Sequence, residues 1–234
     1  MPVKGEPWQL WIGGRKITSD IAKQIYSAVH NQNGLQYWLT KPDVSQEVVE
    51  AVDWKAVGRS MKSVPRGRRV FVTKHTAGMC GVGKFMRQWK QWEKDQCPRC
   101  GMPEDAAHVW TCKDAGAQEV WSKSLASVEL SLRKWNMDPT VLHVIITYLK
   151  SWHTGETVSY QPPCYLEAVL KEQCTIGWHR FYVGWLSPQW EIIQQNYYNV
   201  TRSNKTGKRW VSALIQKLWD TAWDLWEHRN GVLH

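Results

Sequence analysis

The chain has 234 residues, long enough to bury a core as one large domain or two small ones, and carries a net charge of +9 from 30 basic and 21 acidic residues. No basic start followed by an apolar run suggests an export signal, and the longest mainly apolar stretch, VLHVIITYL at 141–149, is far short of the ~20 residues that cross a bilayer. With six cysteines, this points away from a secreted or membrane-embedded class and toward a reducing intracellular compartment, nuclear or cytoplasmic, where thiols are metal ligands or core residues.

The first expected element is a short β-leaning hairpin or extended arm, WQLWIGGRKIT, broken at Gly13-Gly14. Ser19 or Asp20 is placed to cap a helix running to about His30, and Asn33-Gly34 marks a turn. In SQEVVEAVDWKAVGRSMKS, Val48, Val49, Val52, Val57 and Met61 fall near one helical stripe. This predicts a single helix over 45–63, capped by Ser45 and stopped by Pro65. RGRRVFVTKHTAG follows as a short basic helix or strand, and GVGKFMRQWKQWEK as a basic helix leading into a cysteine cluster. Further helices are expected near 114–135, 138–152, 164–186, 189–200 and 208–229, with breaks at Asp138-Pro139 and Ser187-Pro188. HTGETVSYQPP at 153–163 is the best linker. The expected fold class is mainly α: a multi-helix domain with an inserted CCHC zinc knuckle and a short β-leaning N-terminal segment. It divides into 1–44, 45–113 and 114–234.

Tryptophan is abundant, at 17 residues, and often falls at helical spacing: Trp219, Trp223 and Trp226; Trp178 and Trp185; Trp89 and Trp92. Such stripes predict buried helix faces in preference to base-stacking platforms. The positive charge is concentrated. Residues 55–99 hold twelve bases against Glu93 and Asp95, leaving 18 bases and 19 acids elsewhere. Clustered Lys and Arg suit a polyanion partner, because neutralising phosphates releases counterions. Arg66, Arg68, Arg69, Lys74, Lys84, Arg87, Lys90, Lys94 and Arg99 are the candidate nucleic-acid-binding residues.

The cluster itself, CPRCGMPEDAAHVWTC, spaces Cys97, Cys100, His108 and Cys112 as C-x2-C-x7-H-x3-C. Two thiolates three positions apart reach one ion if the chain turns tightly, and Gly101 supplies that freedom. Pro103 suits the first position of a helix, with Glu104 and Asp105 at its positive end. In that helix His108 and Cys112 share a face as i and i+4. Four protein ligands leave no open position, so the expected Zn2+ is structural. Cys80, Cys164 and Cys174 have no partner at ligand spacing and are expected as core or surface thiols; His75, His143, His153 and His179 are expected to be structural.

The run from Asp53-Trp54 through the basic segment to this cluster, then WSKSL, IGWHRFYVGWLSPQW and LWDTAWDLWEHRN, resembles the C-terminal zinc-binding region of LINE-type retrotransposon reverse transcriptases. The likeness covers about residues 45–234 and is most specific at the knuckle. It implies binding of template RNA or target nucleic acid. Family members often have four residues between the histidine and the last cysteine, against three here, and the paired aspartates of the polymerase occur nowhere in this chain. The resemblance is to the tail of a retroelement protein without its polymerase.

Two alternatives stand beside nucleic-acid binding. One is a protein-interaction scaffold with a structural zinc, its partner on the Trp-rich helical half. The other is a metal-dependent nuclease, since Pro42-Asp43 and Asp53-Trp54-Lys55 spell P-D-x9-D-x-K, in which Asp43 and Asp53 would hold a metal and Lys55 assist a water. That skeleton needs its second carboxylate and lysine on a strand, whereas the surrounding pattern is helical. AGMCGVGK at 77–84 lacks the glycine spacing and the Ser/Thr of a P-loop. No catalytic residues are assigned, and no membrane partner is expected.

Overall fold

The computed structural model describes residues 9–41 and 43–233, with backbone alone at 30–33 and 35. The start of the expected hairpin at Trp8, and Pro42 of the P-D pair, lie outside the described residues. The fold is mainly α with one small antiparallel sheet, as expected. No helix among the described residues is long and apolar enough to cross a membrane. The chain forms two compact units, 1–50 and 51–234.

In the first unit, β1 (Leu10–Ile12) and β2 (Arg15–Ile17) pair through Leu10↔Ile17, Trp11↔Lys16 and Ile12↔Arg15, around a turn at Gly13-Gly14. Helix α1 (Ile21–Leu39) follows. It runs straight through Asn33-Gly34, where a turn was expected: its backbone ladder outweighs the cost of roughly 1 kcal/mol for one helical glycine. Neither Ser19 nor Asp20 caps it with a side-chain bond; Asp20 is left-handed, with φ 48°. The short helix α2 (Gln46–Glu50) is capped as expected, the Ser45 hydroxyl accepting from the Val48 amide at 3.3 Å.

The second unit contains α3 (Trp54–Ser63), α4 (Arg66–Thr76), α5 (Gly83–Gln88), α6 (Ala106–Thr111), α7 (Ala115–Lys134), α8 (Pro139–Thr154), α9 (Glu167–Ile176), α10 (Trp178–Tyr182), α11 (Gln189–Val200) and α12 (Gly207–Leu233). Aspartate carboxylates cap four of these, accepting from the amides of Ala56, His108, Ala117 and Thr140. Asp53 explains why 45–63 is two helices and not one: its carboxylate accepts from Ala56 at 2.8 Å, starting a new helix across an unbroken apolar stripe. The stretch expected as 164–186 also divides. A 3-10 turn (Cys164–Leu166) precedes α9, and Gly177, with φ +97°, ends it before α10.

Helix α12 is the centre of this unit, packing against α3, α7 and α11 and touching α4, α6 and α10. Its stripe of Trp210, Leu214, Leu218, Trp219, Ala222 and Leu225 is buried. Trp110, Trp121, Trp185 and Trp190 are also buried, and Trp135, Trp152, Trp178, Trp223 and Trp226 pack partly buried against the core. Trp89 is not buried. It is 44% exposed, so the Trp89/Trp92 pair does not form the buried face expected of it.

Candidate metal centre and basic segment

Beyond Gln88, where α5 stops short of the expected basic helix, the chain turns through residues 89–95. It then forms a single bridge between Gln96 and Pro103. Within this loop Gly101, at φ +75°, donates its amide to the Cys97 carbonyl at 2.9 Å, and the Cys97 amide donates to Met102 at 2.7 Å. This is the tight turn expected of the first ligand pair. The second pair is placed differently. Pro103 belongs to the bridge, and the helix begins at Ala106, where Asp105 caps by accepting from the His108 amide at 2.8 Å. His108 projects from α6, and Cys112 follows its last residue.

All four ligand atoms lie within 4.8 Å of one another. Cys97 Sγ and Cys112 Sγ are 4.0 Å apart, and Cys100 Sγ is 3.2 Å from His108 Nε2. A tetrahedral ion with bonds of about 2.0 Å to nitrogen and 2.3 Å to sulfur sets S–N edges of about 3.5 Å and S–S edges of about 3.8 Å, so small side-chain shifts let the cluster hold a metal ion. Burial pushes the Cys112 thiol up to about 12 and holds the His108 imidazole below its ordinary range, the latter partly offset by Glu104. A neutral imidazole is ready to donate; the thiol must release its proton when a metal binds. Cys97 and Cys112 are buried while Cys100 is exposed, so the centre sits at the surface with one edge in solvent.

Glu104 overturns its expected role as a helix-end charge. It is buried, and its carboxylate takes a bidentate bond from Arg229 of α12, Nε to Oε1 at 3.0 Å and Nη2 to Oε2 at 2.6 Å. The Gly83 amide also donates to it at 2.7 Å. The Arg229 guanidinium lies 5.2 Å from the rings of both Trp92 and Trp226. The knuckle is thereby tied to the first turn of α5 and to the end of α12. Sequence reasoning missed this pair, although a signal existed. Arg229 stands three residues after Trp226 and four after Leu225, on the apolar stripe, and a charge there requires a buried counter-charge.

The nine candidate nucleic-acid residues divide into two groups. Arg68 bonds Asp220 at 3.1 Å and lies over Trp223; Arg69 donates to the carbonyls of Val64 and Lys62; Arg87 bonds Asp95; and Arg99 donates to the Val109 carbonyl inside the knuckle. Arg66, Lys74, Lys84, Lys90 and Lys94 are exposed and have no ion pair or side-chain hydrogen bond among the described residues. Those five are the free charges among the nine candidates.

The P-D-x9-D-x-K residues have other surroundings. Asp53 is the cap of α3 and lies 3.9 Å from Arg59, which also bonds Glu191 at 2.7 Å. Lys55 is exposed in the first turn of α3, where the motif needs a strand. Asp43 belongs to the first unit, in the turn before α2. Cys80 is buried, with its thiol pushed up to about 12 by desolvation, while Cys164 and Cys174 are exposed thiols away from the cluster. His75 and His153 are buried, His75 against Phe71, Trp110 and Tyr182, and His153 stacked on Trp121. No family model, curated protein or solved structure matches the chain.

Proposed function

We propose that this protein is a nucleic-acid-binding module whose basic segment is held in shape by a structural zinc, akin to the zinc-binding tail of a retroelement reverse transcriptase. The observation that carries this reading is a Cys3His cluster directly after a segment in which five of the nine candidate cations are exposed and unpaired. Zinc is the metal the donor set favours, since three thiolates and one imidazole in tetrahedral array suit it and leave no open position for catalysis. A reducing intracellular compartment, nuclear or cytoplasmic, keeps those thiols available. Arg66, Lys74, Lys84, Lys90 and Lys94 supply the phosphate contacts, RNA or DNA, while Arg68, Arg69 and Arg99 hold the scaffold that presents them.

The test is binding of labelled RNA and DNA, measured by fluorescence anisotropy over a series of salt concentrations. Each neutralised phosphate contributes about −0.9 to the log–log salt slope on duplex and about −0.7 on single strands. Changing Arg66, Lys74 and Lys84 together to Gln should therefore weaken binding to all sequences alike and flatten the slope by roughly two to three. If no strand binds below about 10 μM at low salt, the reading fails, and the basic segment becomes a docking face for an acidic protein partner.

A further inference from the structure

Resting on that reading, we infer that the segment prefers single-stranded nucleic acid, with Trp89 as a stacking platform for an unpaired base. Three tryptophans among the described residues are at least 36% exposed: Trp11, Trp54 and Trp89. Trp11 lies in the first unit. Trp54 sits edge-on against Trp185 at 5.0 Å, beside an Arg59 that Glu191 and Asp53 already engage. Trp54 has the single exposed cation Lys55 beside it in sequence, whereas Trp89 has three, Lys84, Lys90 and Lys94.

The ring is also pre-set. Trp89 ends α5, its amide donating to Phe85 at 2.8 Å; Lys90 then turns left-handed at φ 57°, and the amides of Gln91 and Trp92 fold back onto the Met86 carbonyl. This reversal fixes where the indole leaves the backbone. Phe85, packed against the core, backs the indole at 5.7 Å between centroids and 21° between planes. With one side supported and 44% of the residue in solvent, the ring offers an apolar surface, and Lys84, Lys90 and Lys94 stand near it in sequence as charges suited to a sugar–phosphate backbone. A base stacked on an aromatic ring contributes to affinity whatever its identity, since every base has a π-face. In a duplex those faces are already stacked on their neighbours. A small apolar surface among unpaired cations therefore fits a flexible, unpaired strand better than a duplex or an acidic peptide, which has charge but no flat rings.

The experiment separates bases from phosphates. Wild type, Trp89→Ala and Trp89→Phe are titrated by anisotropy with a labelled oligothymidylate of about 15 nucleotides, with the same backbone bearing abasic sites, and with a duplex of equal length. Wild type should bind the thymidylate roughly five- to hundredfold more tightly than the abasic strand, Trp89→Ala should bring that ratio close to one, and Trp89→Phe should keep most of it. Circular dichroism and metal content matching wild type show that the variants are folded. If the abasic strand binds as well as the thymidylate, or the ratio is unchanged in Trp89→Ala, the stacking inference is overturned while phosphate binding stands. If none of the three strands binds, the nucleic-acid reading itself is overturned and this inference with it.

Discussion

The ligand end of the knuckle and the helical bundle of the second unit are stabilised by different means. Around α12, apolar area does the work: Trp190, Trp210, Leu214, Ile215 and Leu225 are fully buried in one continuous core. The knuckle places Val109 and Trp110 of α6 in that same core, but at its ligand end the buried cluster is only Cys97, Cys112 and Ala117. What holds that end is three backbone bonds among residues 95–104 and one buried ion pair, Glu104–Arg229, beside four side chains that could grip a metal ion. The lesson is that hydrophobic burial tolerates small errors gracefully, whereas a site built from charges and ligands depends on each partner being present.

The sharpest way to break that contrast is at the buried ion pair. Replacing Arg229 by Met leaves Glu104 as a buried, uncompensated charge, and should cost about 3–5 kcal/mol in denaturant unfolding. The double variant Glu104→Met/Arg229→Met should recover most of that loss, because the desolvation cost of both charges disappears together. A double variant as unstable as the single one would show that the pair's hydrogen bonds, and not its charge balance, hold the knuckle.

A second contrast lies in acid. Burial lowers His75 to about 3 and His153 to about 4, so each stays neutral in the folded bundle while the unfolded chain takes up a proton below its ordinary 6.5. Both folded values lie below the unfolded one, so this stability is fully present above pH 6.5 and is lost as pH falls. The window ends near 4 for His153 and near 3 for His75. Each contributes about 1.4 kcal/mol per pH unit within its window. A His75→Leu variant should lose less stability than wild type between pH 6.5 and 5, by roughly 2 kcal/mol. An identical acid limb in the two proteins would count against a buried, neutral His75.

The same division explains how much was legible in the sequence. The bundle read well, since α7, α8, α11 and α12 each carry an apolar stripe flanked by an Asp cap, a proline or a glycine. Errors arose where a short-range bond interrupts a continuous stripe, as at Asp53 and Gly177, because periodicity alone does not register a cap or a positive φ. At the knuckle, the ligand identities and the Gly101 turn were readable from chemistry and spacing. The path between them was not: Pro103 went into a bridge and Glu104 into the core, because their partners, Gln96 and Arg229, are set by tertiary packing. The exposure of Trp89 was hidden for a related reason, its i, i+3 spacing with Trp92 spanning a chain reversal at Lys90 and not a helix face.

A zinc-held basic segment stands or falls most directly on the metal. Elemental analysis of protein purified without added metal should find one zinc per chain, held by Cys97, Cys100, His108 and Cys112, and essentially none in a Cys100→Ser/His108→Ala variant. A zinc content near zero in the wild type, or an unchanged content in the variant, would contradict it.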